Sequence, residues 1–299
     1  MTVIRTAETD ADLEAWRQVR SQVVPGERNP TVAELRAMTS PQRVLLLAQS
    51  ADGQLVGSGV ADESSLGGGY VTARVIPEAR RRGAGTALLL ALARQSEAFG
   101  HATISAGVTD PGSLAFAGRF GFAEIDREVE QLRAVAAEPD PVIPAGIEVV
   151  SVARRPELWE QAYHEVYETF ADMALTSTLH VPLDEWNTEW ITTPEASFIA
   201  LAGGSVVGVA SLLLDSDDPG RAENGYTAVR REWRRRGIAA TLKRTTLAWA
   251  ARHAIREIYT WTQQGNNDMR AVNEKLGYRY GAVSIRVRAP LPLPGPPSS

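Results

Sequence analysis

The sequence predicts an α/β chain, a mixed sheet with helices on both faces, in which one domain is written twice. Three observations carry that expectation. Strand-like and helix-like segments alternate along the chain. The segment VIPEARRRGAGT at residues 75–86 superposes without a gap on VRREWRRRGIAA at residues 229–240, an offset of 154 residues. The length of 299 residues is about two domains' worth.

The repeat holds position by position. Val75 matches Val229, Glu78 matches Glu232, and Arg80, Arg81 and Arg82 match Arg234, Arg235 and Arg236. Gly83 matches Gly237, and Gly85 falls on Ala239. QLVGSGV around Gly57 is echoed by SVVGVAS around Gly208, and RFGF by KLGY. Such a spacing is too long for a solenoid and means two copies of one domain. The expected division is residues 1–135, a linker at 136–146, residues 147–289, and a tail at 290–299. The linker AAEPDPVIPAG has no hydrophobic period. The tail APLPLPGPPSS cannot enter a helix or a central strand and is expected to be loose.

Each element follows from local pattern. VIRTA opens as a strand, and residues 10–24 and 31–38 read as helices. RVLLLAQ and QLVGSGVA form a hairpin around Asp52-Gly53. GGYVTARVI is a strand. Residues 83–99 place Ala84, Leu88, Ala91, Leu92 and Phe99 at helical spacing. ATISAGV is a strand, residues 112–120 a helix and FAEIDREVEQL the last strand. The second copy repeats the order from IEVVSVA to YRYGAVSIRV. Its long helix lines Ile238, Leu242, Thr245 and Trp249 along one face.

Composition narrows the chemistry. There are 31 Lys+Arg against 36 Asp+Glu, a formal net charge of −5, which argues against a nucleic-acid partner gripped through a broad basic face. The chain has no cysteine, so a thiol nucleophile, a disulfide framework and a Cys-ligated metal are excluded; no metal site is expected. No apolar run approaches the ~20 residues of a membrane span, and residues 1–16 show no signal-peptide h-region. A cytoplasmic protein is the expectation. Lys243 and Lys275 are the only lysines. The arginine excess reads as coding bias, or as a grip on a polyanion, and location decides between them.

Location is informative. Each arginine run follows a strand and opens an amphipathic helix, whose first-turn N–H groups lack internal partners and whose dipole is positive there. A phosphate is the natural ligand of such a turn. Small residues at Gly83 and Gly85, and at Gly237 and Ala239, let an anion approach the backbone. The expected cradle therefore comprises Val75, Arg80, Arg81, Arg82, Gly83, Ala84, Gly85 and Thr86 in the first half. In the second half it comprises Val229, Arg234, Arg235, Arg236, Gly237, Ile238, Ala239 and Ala240. Neither GxxxxGK[ST] nor GxGxxG occurs.

Arg-x-x-Gly-x-Gly/Ala after a strand ending in Val resembles the acetyl-CoA signature of the GNAT N-acetyltransferase superfamily. The second half is the closer match, continuing into Asn266-x-x-Met269-x-x-x-Asn273-x-x-Leu276-Gly277-Tyr278, which is similar to the family's distal CoA-binding segment. The first half, DPGSLAFAGRFGF, lacks that pattern. The resemblance implies two tandem GNAT folds, acetyl-CoA as donor, a V-shaped gap between the fourth and fifth strands of each half, and a catalytic second half. It also implies an oxyanion donor on the strand backbone near Val229. Where family members often place a Tyr before the LG motif, this chain has Asn273 and Ala117.

An amine acceptor must lose a proton before it attacks a thioester, since an ammonium has a pKa of about 10.4. Glu223, at the start of the strand leading to Thr227, is the candidate base, or a strand-edge charge. His180 lies in the polar stretch LTSTLHVPLDEW where the family shapes its acceptor pocket, or is a solvated loop histidine. Tyr278 and Tyr280 are candidates for the acid, or packed core, and Asn273 a hydrogen-bond partner of the cofactor. Asp172, Asp184 and Glu185 fall in the same region as His180. Tyr163, Tyr167, Phe170, Trp186 and Trp190 are core, or line a pocket for a ring-bearing or cationic acceptor.

The expected function is direct acetyl transfer from acetyl-CoA to a primary amine of a small molecule, such as an antibiotic or another cationic metabolite. A protein amine is the alternative acceptor, and a non-catalytic CoA-binding scaffold the alternative class. No nucleic-acid or membrane partner is expected, and the chain is expected to be a monomer or a homodimer.

Overall fold

The computed structural model describes residues 2–38, 40–64, 67–172 and 181–295. It falls into two compact units. The first comprises Met1–Arg127 and Ser284–Ser299, the second Glu128–Val283.

The first unit contains β1 (Val3–Thr6), α1 (Asp10–Val23), α2 (Val32–Ala37), β2 (Val44–Gln49), β3 (Leu55–Glu63), β4 (Gly69–Val75), α3 (Ala84–Ala98), β5 (Thr103–Val108) and α4 (Pro111–Gly118). β1 to β4 form an antiparallel meander, and β5 runs parallel to β4. Helix starts carry their own caps: Thr9 and Thr31 each close a capping box, and Asp110 accepts from the Ser113 N–H. The core gathers Leu46, Leu88, Leu92, Ile104 and Phe120 between sheet and α3. Trp16 of α1 covers the opposite face and donates its indole N–H to the Gly59 carbonyl at 2.8 Å.

β6 (Ala123–Ala134) then leaves the first unit, and its residues from Glu128 onward belong to the second. The second unit adds β7 (Ile147–Ser151), α5 (Glu157–Val166), a 3-10 segment Tyr167–Asp172, α6 (Leu183–Glu189), β8 (Phe198–Ala202), β9 (Ser205–Leu214), β10 (Arg221–Val229), α7 (Ile238–Arg252), β11 (Glu257–Gln263) and α8 (Asn267–Lys275). The order of β7 to β11 repeats that of β1 to β5, with β10 and β11 parallel. The last strand is β12 (Arg279–Pro290).

The units do not follow the division expected at residue 135. Each takes its last strand from the other half of the chain. Residues from Glu128 to Ala134 of β6 pair antiparallel with β11, while Ile285 to Pro290 of β12 pair antiparallel with β5. Sequence pattern reads a strand but not its partner, because the alternating period is satisfied by either neighbour. The 136–146 stretch is irregular. The start of the tail is not loose. Leu291 donates its N–H to the Ala102 carbonyl at 2.9 Å, and Leu291 and Leu293 pack on the first unit's core. Apolar side chains alternating with the prolines supply that contact. Among the described residues, no helix is long and apolar enough to cross a membrane.

Candidate active site

The second unit carries an open cleft of about 570 Å³, and its floor is the turn that the repeat singled out. β10 ends at Val229, and a 3-10 turn, Arg231–Trp233, leads into α7. Arg235 and Gly237 hold positive φ of 61° and 80°. The glycine takes this conformation without strain, and the space a Cβ would enter is open for 4 Å around. No side chain caps α7 and no acidic residue occupies its first turn. Its first N–H groups therefore face the cleft with the positive end of the dipole behind them. Arg234 is braced by its Nε–H to the Val229 carbonyl at 3.1 Å.

The first unit builds the same turn. Arg81 and Gly83 have φ of 63° and 88°, α3 is likewise uncapped, and the Arg80 Nε–H reaches the Val75 carbonyl at 3.1 Å. Arg80, Arg81 and Arg82 are exposed. Here Phe116 of α4 approaches: a Cβ on Gly85 would lie 3.8 Å from its ring.

A gap opens above each turn. β4 and β5 pair only at Gly69 with Ile104 and Tyr70 with Ser105. β10 and β11 pair at Arg221, Ala222 and Glu223 and then separate. In the second unit β10 also shifts register against β9 between Asn224 and Tyr226. Asn224 pairs with Leu212 and Tyr226 with Ser211, so the extra residue is Gly225. A Cβ there would fall 2.9 Å from Leu213 Cδ1. Such a bulge turns the following side chain to the other face. Tyr226 consequently points into the aromatic group of Phe170, Trp186 and Trp190, with ring centroids 5.4, 5.5 and 4.9 Å away.

Tyr226 also lines the cleft. Its hydroxyl lies 2.7 Å from Thr169 Oγ1. Thr169 spends its own proton on the Val166 carbonyl at 2.6 Å, so Tyr226 is the donor. Burial pushes the Tyr226 phenol well above its ordinary range, and it stays protonated. Asp172 lines the same end and holds the turn's arginines: it pairs with Arg234 and, at 3.2 Å, with Arg231. Thr227 lines this cleft, and its hydroxyl oxygen is buried with no partner. Asn266 and Met269 line its far wall, and Asn266 also caps α8 through the Met269 N–H at 3.3 Å.

Of the expected second-unit cradle, Val229, Arg234, Arg235, Gly237, Ile238, Ala239, Ala240, Asn266 and Met269 line the cleft. Arg236 is turned away; its guanidinium sits 4.5 Å from the Trp233 ring. The expected chemical residues are placed differently. Glu223 stands at the closed apex of the gap and accepts from the Tyr259 hydroxyl at 3.2 Å. Asn273 faces inward from α8, fully buried, and donates to Gln131 Oε1 at 2.8 Å. Tyr278 follows the Gly277 turn into the core with Leu247 and Ile258, and burial raises its phenol. None of the three lines the cleft. His180 lies outside the described residues. Tyr226, Thr169 and Trp233 carried no motif. The one available signal was Gly225 inside a strand pattern, the mark of a bulge.

These features fit acetyl-CoA. An uncapped helix start with open space at Gly237 suits a pyrophosphate, and the orphan Thr227 hydroxyl offers a donor to an amide-bearing arm.

The acetyltransferase (GNAT) family profile matches residues 11–122 and 159–278. A GCN5-related N-acetyltransferase from Sphaerobacter thermophilus superposes with a TM-score of 0.73 at 20% identity, over 98% of this chain and 96% of that one. A tandem GNAT protein from the clavulanic acid biosynthesis pathway gives 0.73 at 21% identity, over 100% and 99%. A glucosamine N-acetyltransferase region of a fungal multi-domain β-N-acetylglucosaminidase gives 0.67 at 15%, over 96% of this chain and 38% of that one. At these identities the likeness is one of fold. No curated protein matches in sequence.

Proposed function

We propose, since this chain belongs to the acetyltransferase (GNAT) family, that its second unit moves an acetyl group from acetyl-CoA directly onto a primary amine of a small molecule. The observation that carries this reading is the continuity of one cleft from the Gly237 turn to the Thr169–Tyr226 hydroxyl pair. Acetyl-CoA supplies a thioester whose acetyl group an amine can accept. The α7 N–H groups, Arg234 and Arg235 hold the pyrophosphate, and Thr227 with the β10 backbone aligns the arm. The strand backbone near Val229 supplies the donor to the developing oxyanion.

The acceptor enters at the other end. Asp172, which bridges Arg231 and Arg234, is the carboxylate that faces an incoming ammonium at this part of the cleft. Tyr226, held protonated and donating to Thr169, offers its hydroxyl oxygen there as a hydrogen-bond acceptor. Apolar rings behind Tyr226 close the pocket, which favours a compact amine over a protein chain. The likeness to a tandem GNAT protein of clavulanic acid biosynthesis and to a glucosamine N-acetyltransferase region supports a small, cationic acceptor of the antibiotic or amino-sugar kind. The unaltered turn of the first unit supports a second CoA there, without transfer, because that half lacks the distal segment.

Thiol release from acetyl-CoA over a panel of small amines, amino sugars and lysine peptides tests this. Release with a small cationic amine is expected. Release with peptides alone overturns the acceptor class. No release with any amine, while calorimetry shows CoA binding, overturns catalysis and favours a scaffold.

A further inference from the structure

The second unit contains a buried lysine that the proposed chemistry does not use. Lys243 of α7 is 2% exposed. Its ammonium donates to Asn224 Oδ1 and sits 5.4 Å from the Tyr278 ring. Asn224 is the first residue of β10 beyond its last pair with β11, and it directly precedes the bulge residue Gly225. It is tied in three directions. Its side-chain amide donates to the Ser211 carbonyl of β9 at 2.9 Å, its own carbonyl accepts from Thr260 of β11 at 2.9 Å, and Lys243 holds it from α7.

The chain carries its own control. In the first unit, the ladder between β3 and β4 runs from Gly57–Val75 to Glu63–Gly69 without a shift. The last pair of β4 with β5 is Tyr70, and the last pair of β10 with β11 is Glu223. Counting on from those pairs, Asn224 corresponds to Val71, Gly225 is extra, and Tyr226 corresponds to Thr72. On the helix, Lys243 corresponds to Leu89, each six residues past the turn glycine. Val71 and Leu89 are both part of the first unit's apolar core. The corresponding strand and helix positions are thus apolar where the strand is regular and polar where it bulges. A buried ammonium with one hydrogen bond is a poor way to gain stability, and an apolar pair of similar volume serves at least as well.

We propose that Lys243 and Asn224 form a buried strut that fixes the β10 bulge, making Lys243 a positioning residue for acetyl transfer. This rests on reading the second unit as the acetyltransferase. The strut sets where β10 leaves β11, and the bulge aims Tyr226 into the acceptor end. Because the strut hangs from α7, it also ties that end to the helix whose first turn holds the pyrophosphate.

The test gives the second unit the first unit's pair, as the double variant K243L/N224V. Melting temperature, CoA affinity by calorimetry, kcat with the best amine, and hydrogen exchange at the amides of residues 225–228 are measured. The expected result is a folded protein with CoA affinity within about twofold of wild type, kcat lowered at least tenfold, and exchange at residues 225–228 at least tenfold faster. Wild-type kcat together with unchanged exchange overturns the strut, because an apolar pair then serves equally well. Should the wild type transfer acetyl to no amine, the acetyltransferase reading fails by itself, and the exchange rates still decide whether the strut holds the bulge. Should the double variant not fold, Lys243→Met, equal in length and without a donor, is carried through the same measurements. Retention of kcat and exchange within twofold in that variant overturns the proposal.

Discussion

The two units share a strand-to-helix turn down to the arginine-to-carbonyl bond of 3.1 Å, and differ in the strand that leads to it. β4 is regular; β10 carries one residue more and bulges at Gly225. On the side away from the long helix the contrast widens. The second unit presents Ala228 and Tyr226 to its cleft, backed by Trp186, Trp190 and Phe170. The first unit presents Arg74 at the position of Ala228, its guanidinium 5.8 Å from the Trp16 ring and lowered to about 10 by burial and by Arg20. A strand-to-helix turn is local and survives duplication. The cleft end lined by Tyr226 depends on one inserted residue and on what packs behind it.

Four substitutions separate the two units experimentally. The largest effect is expected from Gly237→Glu against Gly83→Glu. Each places a carboxylate at a helix start where space is open but the positive φ strains a residue other than glycine, equally in both units, so the melting temperature of each is measured alongside. Gly237→Glu should lower kcat/KM at least a hundredfold, and Gly83→Glu by no more than about twofold. Abolished turnover in Gly83→Glu alone would move catalysis to the first unit.

The next effect concerns stability. Burial lowers Lys243 from 10.5 to about 7. Between those values the unfolded chain holds a proton that the folded chain has released. Unfolding therefore takes up a proton, and stability rises with pH across that window, with no slope from this group below about 7. The slope approaches about 1.4 kcal/mol per pH unit. Urea unfolding of wild type and Lys243→Met from pH 7 to 10 should show the stability gap narrowing or reversing by that slope. Parallel curves would show that Lys243 does not titrate there. Leu89 gives the first unit no such term.

A smaller effect is expected from Asp172→Asn: about a tenfold loss in kcat/KM for the amine with CoA affinity kept or tightened, since Arg234 is released from its carboxylate. Equal loss with a neutral aromatic amine and a cationic one would remove the counter-charge role. The smallest is Tyr226→Phe, which deletes one buried hydrogen bond worth about 1 kcal/mol. Stability should fall by that amount and KM for the amine should rise severalfold, whereas Thr72→Val in the first unit should change neither.

Much of the fold was legible because each element is locally encoded. Alternating apolar residues gave the strands, and helical spacing gave α3 and α7. The turns at Gly83 and Gly237 were legible for the same reason: a helix start after a strand, with Gly where φ is positive, is a matter of a few consecutive residues. Chemical residues were less so. Asn273 and Tyr278 belong to a segment of which Asn266 and Met269 line the cleft, yet helix phase turns Asn273 inward to Gln131 and the Gly277 turn sends Tyr278 into the core. Pattern gives spacing, and burial decides which side of the spacing meets the cleft.

From residues alone it could be read that this protein is one α/β domain written twice, with a glycine turn opening a long helix at each repeat. Those features depend on residues a few positions apart, where propensity and backbone geometry act without help. Only tertiary structure decided that each unit finishes its sheet with the other half's last strand, that Gly225 bulges, and that Tyr226 meets Thr169 fifty-seven positions away. Those choices rest on which strand edge, helix face and hydroxyl a segment finds once the chain has closed, and a two-residue period is equally content with any of them.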